Sequence, residues 1–194
     1  MSESVWAQTD SPVRRENRFD GLRELFAELA ASYRPDQVIF LCIGTDRSSG
    51  DAYGPLVGSR LKEAGFPHVS GTLEEPCDAA NLERIIHALP AELTVVALDA
   101  CLGKPGSVGR FLPLRGPLTP AGSMKGTFAP IGDYSIAAVV NVYGPRPYQA
   151  LQSASLRLVL QMVEQTAAAA REAFGRLAFS EPLAETDKPY ERKS

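Results

Sequence analysis

Two stretches of this 194-residue chain run as unbroken apolar segments into an aspartate. Val38-Ile39-Phe40-Leu41-Cys42-Ile43 leads through Gly44-Thr45-Asp46-Arg47-Ser48-Ser49-Gly50 to Asp51, and Thr94-Val95-Val96-Ala97-Leu98 leads directly to Asp99. Neither run alternates apolar with polar residues. That pattern suits strands covered on both faces, as in a parallel sheet whose crossovers place helices above and below. Ligands of such sheets bind outside the carboxyl ends of the strands. If the two runs are neighbours, Asp51 and Asp99 meet at that edge.

The rest of the chain fits this alternation. Leu22, Leu25, Phe26, Leu29 and Tyr33 recur with Phe19 at helical spacing after Asp20, and Arg34-Pro35 ends the helix. A helix is expected over 52–64, where Pro55 is tolerated in the first turn, with Gly65 beyond its end. A short strand is expected over 69–73. Asp78 is placed to cap a helix with Leu82, Ile85, Ile86 and Leu89 on one face. A third strand spans 93–98. Residues 108–114 form an edge strand, since Pro113 cannot donate to a ladder. Residues 115–133 are a long Gly- and Pro-rich segment, 134–140 another buried strand, and 147–174 one long helix. Residues 1–18 and 175–194 have no apolar period and are expected to be polar tails around one domain over 19–174. Strand–helix alternation of this kind predicts a three-layer α/β/α sandwich around a mostly parallel sheet.

Charge and cysteine usage narrow the function. A net charge of −3 gives no basic field for nucleic acid or an anionic membrane. No run reaches the ~18–20 apolar residues of a membrane helix, and the first residues lack the apolar core of a signal peptide. Cys42, Cys77 and Cys101 are an odd set in a chain too large to need disulfides, so buried free thiols are expected. These features predict a cytoplasmic protein.

Several residues are candidates for chemistry. The loop 44–51 lacks both the Lys-Ser/Thr ending of a phosphate loop and the dinucleotide fingerprint, and carries acids where phosphate would dock. Asp51, at a helix start, reads either as a base held ionised by the helix dipole or as a helix cap. Asp99, at the end of a central strand, reads as a desolvated carboxyl or as a cap on the amides of 100–103. Taken together they suggest an ionised Asp51 and a proton-holding Asp99. Glu74 and Glu75 follow the second strand and fall on the same edge. Asp133 reaches that edge only if its strand runs antiparallel. His68 and His87 are poorly placed as ligands. Cys101, Ser48 and Ser49 lack a histidine to activate them as nucleophiles.

Several ordered motifs carry a resemblance to a known family: Cys42–Ser48, Gly50-Asp51-Ala52-Tyr53-Gly54-Pro55 through Gly58, Gly71–Pro76, Leu98-Asp99-Ala100-Cys101-Leu102-Gly103, Pro130–Asp133 and Val140-Asn141-Val142. Over about residues 37–165 the chain resembles the YyaC-type spore proteases, a family similar to the germination protease of spore formers and to hydrogenase maturation proteases. The resemblance implies the phosphorylase/hydrolase-like sandwich of hydrogenase maturation proteases, around a mostly parallel or mixed sheet. Asp51-Ala52-Tyr53-Gly54-Pro55 and Leu98-Asp99-Ala100 match the two aspartate motifs of the germination protease. The resemblance therefore implies an aspartate-dependent endopeptidase linked to sporulation or germination, with Asp51 and Asp99 catalytic and no cofactor. Gly44, Thr45, Asp46, Ser48, Ser49, Gly50, Glu75 and Asp133 are the expected substrate-binding residues, with loops 44–50 and 115–132 shaping the cleft. A protein or peptide substrate is expected, small acid-soluble spore proteins by analogy, in the cytoplasm or spore interior, with a homo-oligomer as an open option. No histidine matches the nickel-associated one of the maturation proteases. The alternatives are a non-enzymatic binding protein on the same fold, or a metal-dependent hydrolase using Asp51, Asp99 and Asp133 or a glutamate.

Overall fold

The computed structural model of the chain describes residues 20–120 and 129–175. The expected tail over 1–18, the expected tail over 175–194 apart from Gly175, and the middle of the 115–132 loop lie outside the described residues.

The first helix, α1 (Asp20–Ser32), buries Leu22, Leu25, Phe26 and Leu29, the stripe that the spacing predicts. Strand β1 (Val38–Cys42) is buried along its whole length. Helix α2 (Tyr53–Glu63) follows, then the two-residue β2 (Val69–Ser70), α3 (Leu82–His87) and β3 (Thr94–Gly103). A 3-10 turn over Pro105–Ser107 precedes β4 (Phe111–Leu114), and β5 (Tyr134–Val142), α4 (Pro147–Gln152) and α5 (Leu156–Phe174) complete the order. Among the described residues no helix is long and apolar enough to cross a membrane.

The five strands form one sheet in the order β2-β1-β3-β5-β4. β1, β2, β3 and β5 are parallel, and β4 pairs with β5 antiparallel at the edge. Right-handed crossovers that step outward from β1 to β2 and back to β3 put their helices on opposite faces. Indeed α2 packs with α1 and α5 over Phe40, Cys42, Val96, Leu98, Ala100 and Ile136. The other face, with Leu41, Ile43 and Ala97, is covered by Leu82 of α3 and by Leu118 and Ile131. Those last two residues pair across an antiparallel bridge that stands in for a second covering helix.

Several elements depart from the sequence expectation, among them β4, which starts at Phe111 rather than 108. β2 ends at Ser70 because Gly71 takes a left-handed φ of 89°. The long helix over 147–174 is two, since Ser155 caps α5 by accepting the Leu158 amide. β3 continues to Gly103, so Asp99 lies within the strand, opposite Ala137 of β5.

Candidate active site at the carboxyl edge

The strand order reverses direction between β1 and β3, because β1 leads outward to β2 while β3 lies on its other side. Such a reversal opens a crevice at the carboxyl ends of the two strands. Asp99 lies on β3 at this edge, and Asp51 ends the loop that leaves β1 there. β1 and β3 are in register through Cys42 and Leu98, and the Ile43 amide donates to the Leu98 carbonyl at 2.7 Å. Asp99 is the next residue of β3, beside the point where β1 ends.

Asp51 is delivered by a loop tied down at nearly every turn. The Gly44 amide donates to the Cys77 carbonyl at 2.8 Å, and the Thr45 amide closes onto the Asp51 carbonyl at 3.2 Å. Gly44 has φ 146°, and a Cβ there would overlap that carbonyl oxygen, so only glycine fits. The Gly50 amide donates to the Leu151 carbonyl at 3.0 Å, fixing the loop to the end of α4. Arg47 pairs with Asp78 at 2.7 Å and hydrogen-bonds Thr45 Oγ1. Gly54, in the first turn of α2, lets the helix meet the Ile43 carbonyl, where a side chain would collide. Two residues beyond Asp51, Tyr53 is fully buried, and its hydroxyl lies 2.9 Å from Thr166 Oγ1 on α5. That contact anchors the start of α2.

Neither aspartate is a simple helix cap. Ala52 holds the cap position of α2, with no side-chain cap bond. Burial pushes the Asp51 carboxyl above the usual range, opposed in part by the Ser48 hydroxyl. Ser48 is only 4% exposed, and its Oγ faces the Asp51 carboxyl without closing a well-formed hydrogen bond. Asp99 is 6% exposed, and its Oδ1 accepts the Ala100 amide at 2.8 Å, one of the cap bonds expected of it. Desolvation of Asp51 therefore opposes the ionised form expected there from the dipole of α2.

The other expected residues divide between the two edges. Thr45 and Ser49 are half-buried, Gly50 buried and Asp46 exposed on the loop itself. Glu75 is exposed in the tight turn after β2, where its amide donates to Thr72 Oγ1 at 3.2 Å. Asp133 does not join them. β5 runs parallel to β3, so the residue preceding it lies at the amino edge, where its carboxylate accepts the Val95 amide at 2.8 Å. For the same reason the described ends of the 115–132 loop leave and return at the amino edge. A cleft of about 580 Å³ lies at that opposite edge, lined by Ile86, His87, Leu93 and Asp133 among others. It is largely apolar and brings no second acid beside Asp133 except Glu83, so size alone does not locate the chemistry. His87 lines it, and the His68 carbonyl accepts the Phe40 amide inside the sheet, so neither histidine reaches the aspartates. Among the described residues no three His, Cys, Asp or Glu side chains are grouped to hold a metal ion.

The cysteines are free, Cys42 and Cys77 buried and Cys101 partly so. Burial, with the Asp99 charge adding to it, pushes the Cys101 thiol up to about 12. It stays protonated at neutral pH and is no nucleophile. The sequence reading missed the segment 141–151, which walls this edge. Asn141 Nδ2 donates to the Ala150 carbonyl at 2.8 Å, and the Tyr143 amide to the Gly103 carbonyl at 2.8 Å. Two tyrosines among Gly144, Pro145 and Pro147 were the available signal.

The [NiFe] hydrogenase maturation protease HybD from Thermococcus kodakarensis superposes with a TM-score of 0.50 at 18% identity, over 72% of this chain and 99% of that one. The maturation protease HycI from the same organism gives 0.47 at 21% identity, over 77% and 98%. The likeness to HybD is one of fold. The Bacillus subtilis protein "Uncharacterized protein YyaC" is 43% identical over 130 residues, 64% of this chain. The match spans 63% of that relative's length. A family model described as "Protein of unknown function (DUF1256)" matches residues 13–169, most of the chain. The chain belongs to the DUF1256 family.

Proposed function

We propose that the chain is an aspartate-dependent peptidase in which Asp51 and Asp99 act on either side of a peptide bond. The observation that supports this reading is the placement of the buried Asp99 on β3 beside the end of β1, whose following loop carries the half-buried Asp51 with the Ser48 hydroxyl facing it. Asp99 takes a proton from water as the water oxygen bonds to the substrate carbonyl carbon. Asp51, which burial keeps protonated to higher pH, gives its proton to the leaving nitrogen as the C–N bond breaks. The proton on Asp99 then returns to Asp51 through solvent. Ser48 Oγ orients the water or the carbonyl.

The test is cleavage of β-casein, an unfolded protein, by the wild type and by Asp51→Asn and Asp99→Asn. Each substitution is expected to lower the rate about 10²–10⁴-fold with unchanged circular dichroism. A variant that folds and cleaves at the wild-type rate would falsify the pair. On the resemblance to spore proteases we extend the proposal to small acid-soluble spore proteins as substrate, in the cytoplasm or spore interior. Purified spore proteins left intact by a casein-cleaving enzyme would remove that extension alone. A second reading, a binding protein without turnover, is favoured by the bond from the Ala100 amide to Asp99. It predicts peptide binding and intact casein.

A further inference from the structure

Arg110 is a cation held without an anion. The exposed Arg23, Arg34, Arg47, Arg60 and Arg115 each pair with a carboxylate. Among the described lysines and arginines, Arg110 alone is not exposed, and it forms no ion pair. Its Nε is buried without a hydrogen bond, and its Nη atoms bond no protein group. A buried donor left open in this way costs stability until a partner arrives.

The backbone is built to aim this side chain. Val108 (φ −59°, ψ 130°) and Gly109 (φ 82°) form a turn of type II, closed by the Arg110 amide on the Ser107 carbonyl at 3.0 Å. The Gly109 amide donates to the Val139 carbonyl at 2.8 Å, and the Val139 amide to the Arg110 carbonyl at 3.0 Å. Two residues thus face one, a glycine bulge of the kind that re-aims a side chain at the rim of a sheet. The face follows from alternation. Leu98 and Ala100 of β3, Ala138 and Val140 of β5 and Phe111 of β4 pack into the layer of α1, α2 and α5. Asp99, Cys101, Val139 and Arg110 are the alternate residues and share the opposite face. Val139 pairs with Cys101, two residues beyond Asp99. The Arg110 and Asp99 backbones are therefore about 12 Å apart, the length of roughly four extended residues.

Resting on the peptidase reading, we propose that Arg110 determines specificity by binding a carboxylate of the substrate, about four residues from the bond acted on at Asp99. The guanidinium fork matches a carboxylate in two parallel bonds. Asp99 on the same face repels a doubly charged phosphate, whereas a carboxylate carries the single charge that one guanidinium balances. The carboxylate belongs to an acidic side chain or to the end of a chain, and the two sources are separable.

Binding is measured without turnover, in the Asp51→Asn chain, by fluorescence anisotropy with labelled Gly/Ser nonapeptides. One set carries a single Glu, or Gln in its place, at successive positions with an amidated end. A second set has neither residue and a free or an amidated end. At one position Glu should bind at least about tenfold tighter than Gln, or the free end than the amide. The first result assigns a side chain, the second a terminus. The chain's own net charge of −3 works against a non-specific preference for either. Arg110→Gln should erase the difference with unchanged circular dichroism. Arg110→Lys, which keeps the charge but not the fork, should reduce it. No carboxylate preference in the parent, or one that both variants leave intact, overturns the proposal. Casein cleavage separates the two readings. Cleavage by Arg110→Gln with an unchanged KM, and no carboxylate preference in the parent, sinks the arginine and leaves the peptidase standing. An Arg110-dependent preference in a wild-type chain that cleaves nothing keeps the arginine and sinks the peptidase.

Discussion

Asp51 and Ser48 make opposite demands on the same few ångströms. Burial favours the protonated carboxyl, and the hydroxyl favours the charged one. Because the folded-state value lies above the unfolded one, the folded chain holds the extra proton between the two. Stability is then lost as pH rises from the unfolded carboxylate value of about 4 through the raised folded value, and stays lower above it. Asp51→Asn removes that loss. Its Tm should exceed the wild type's at pH 7, and the two should converge as pH falls below 4. A Tm equal to or below the wild type's at pH 7 contradicts the burial argument. Ser48→Ala removes only the opposing hydroxyl, so Asp51 should titrate at still higher pH. If Asp51 donates its proton in turnover, the alkaline limb of kcat/KM should move up in that variant. A limb that stays in place means Asp51 does not set it.

At the scale of elements, the site depends on how α2 meets its neighbours. Tyr53 and Thr166 join α2 to α5 through one buried contact, and Thr166 Oγ1 also lies 3.0 Å from the Met162 carbonyl. Thr166→Val should strand the tyrosine hydroxyl and lower stability by about 1–3 kcal/mol in chemical unfolding, whereas Tyr53→Phe with Thr166→Val should recover most of it. An unchanged midpoint in Thr166→Val would show that the contact holds nothing. Strands were the legible elements, since Val38–Ile43 and Val95–Leu98 are apolar on both faces. The length of β3 was not legible. Its last residues, Ala100 to Gly103, are small or mixed, and only pairing with β5 keeps them extended. The break between α4 and α5 was written in Ser153-Ala154-Ser155, where a hydroxyl competes with the helix for the Leu158 amide. A continuous apolar stripe from Leu151 to Val163 hid it.

Across the whole molecule, the order β2-β1-β3-β5-β4 decides which acids meet. Local pattern places an aspartate at the end of a strand but says nothing of the strand's direction, and the direction separates Asp133 from Asp99. Asp51 and Asp99 were legible because each follows an unbroken apolar run of the parallel kind. Asp133 was not, because it precedes one. The same order puts the strand that carries Asp99 and the loop that carries Asp51 at one sheet edge, and the proposed mechanism has them work as one unit. Residues that do so lose their effect together, so a second removal costs little more than the first. The decisive measurement is kcat/KM for casein in Asp51→Asn, Asp99→Asn and the double variant, each shown to be folded. The double variant should fall level with the more damaged single one. Losses that multiply, or a single variant that keeps the wild-type value, would contradict it.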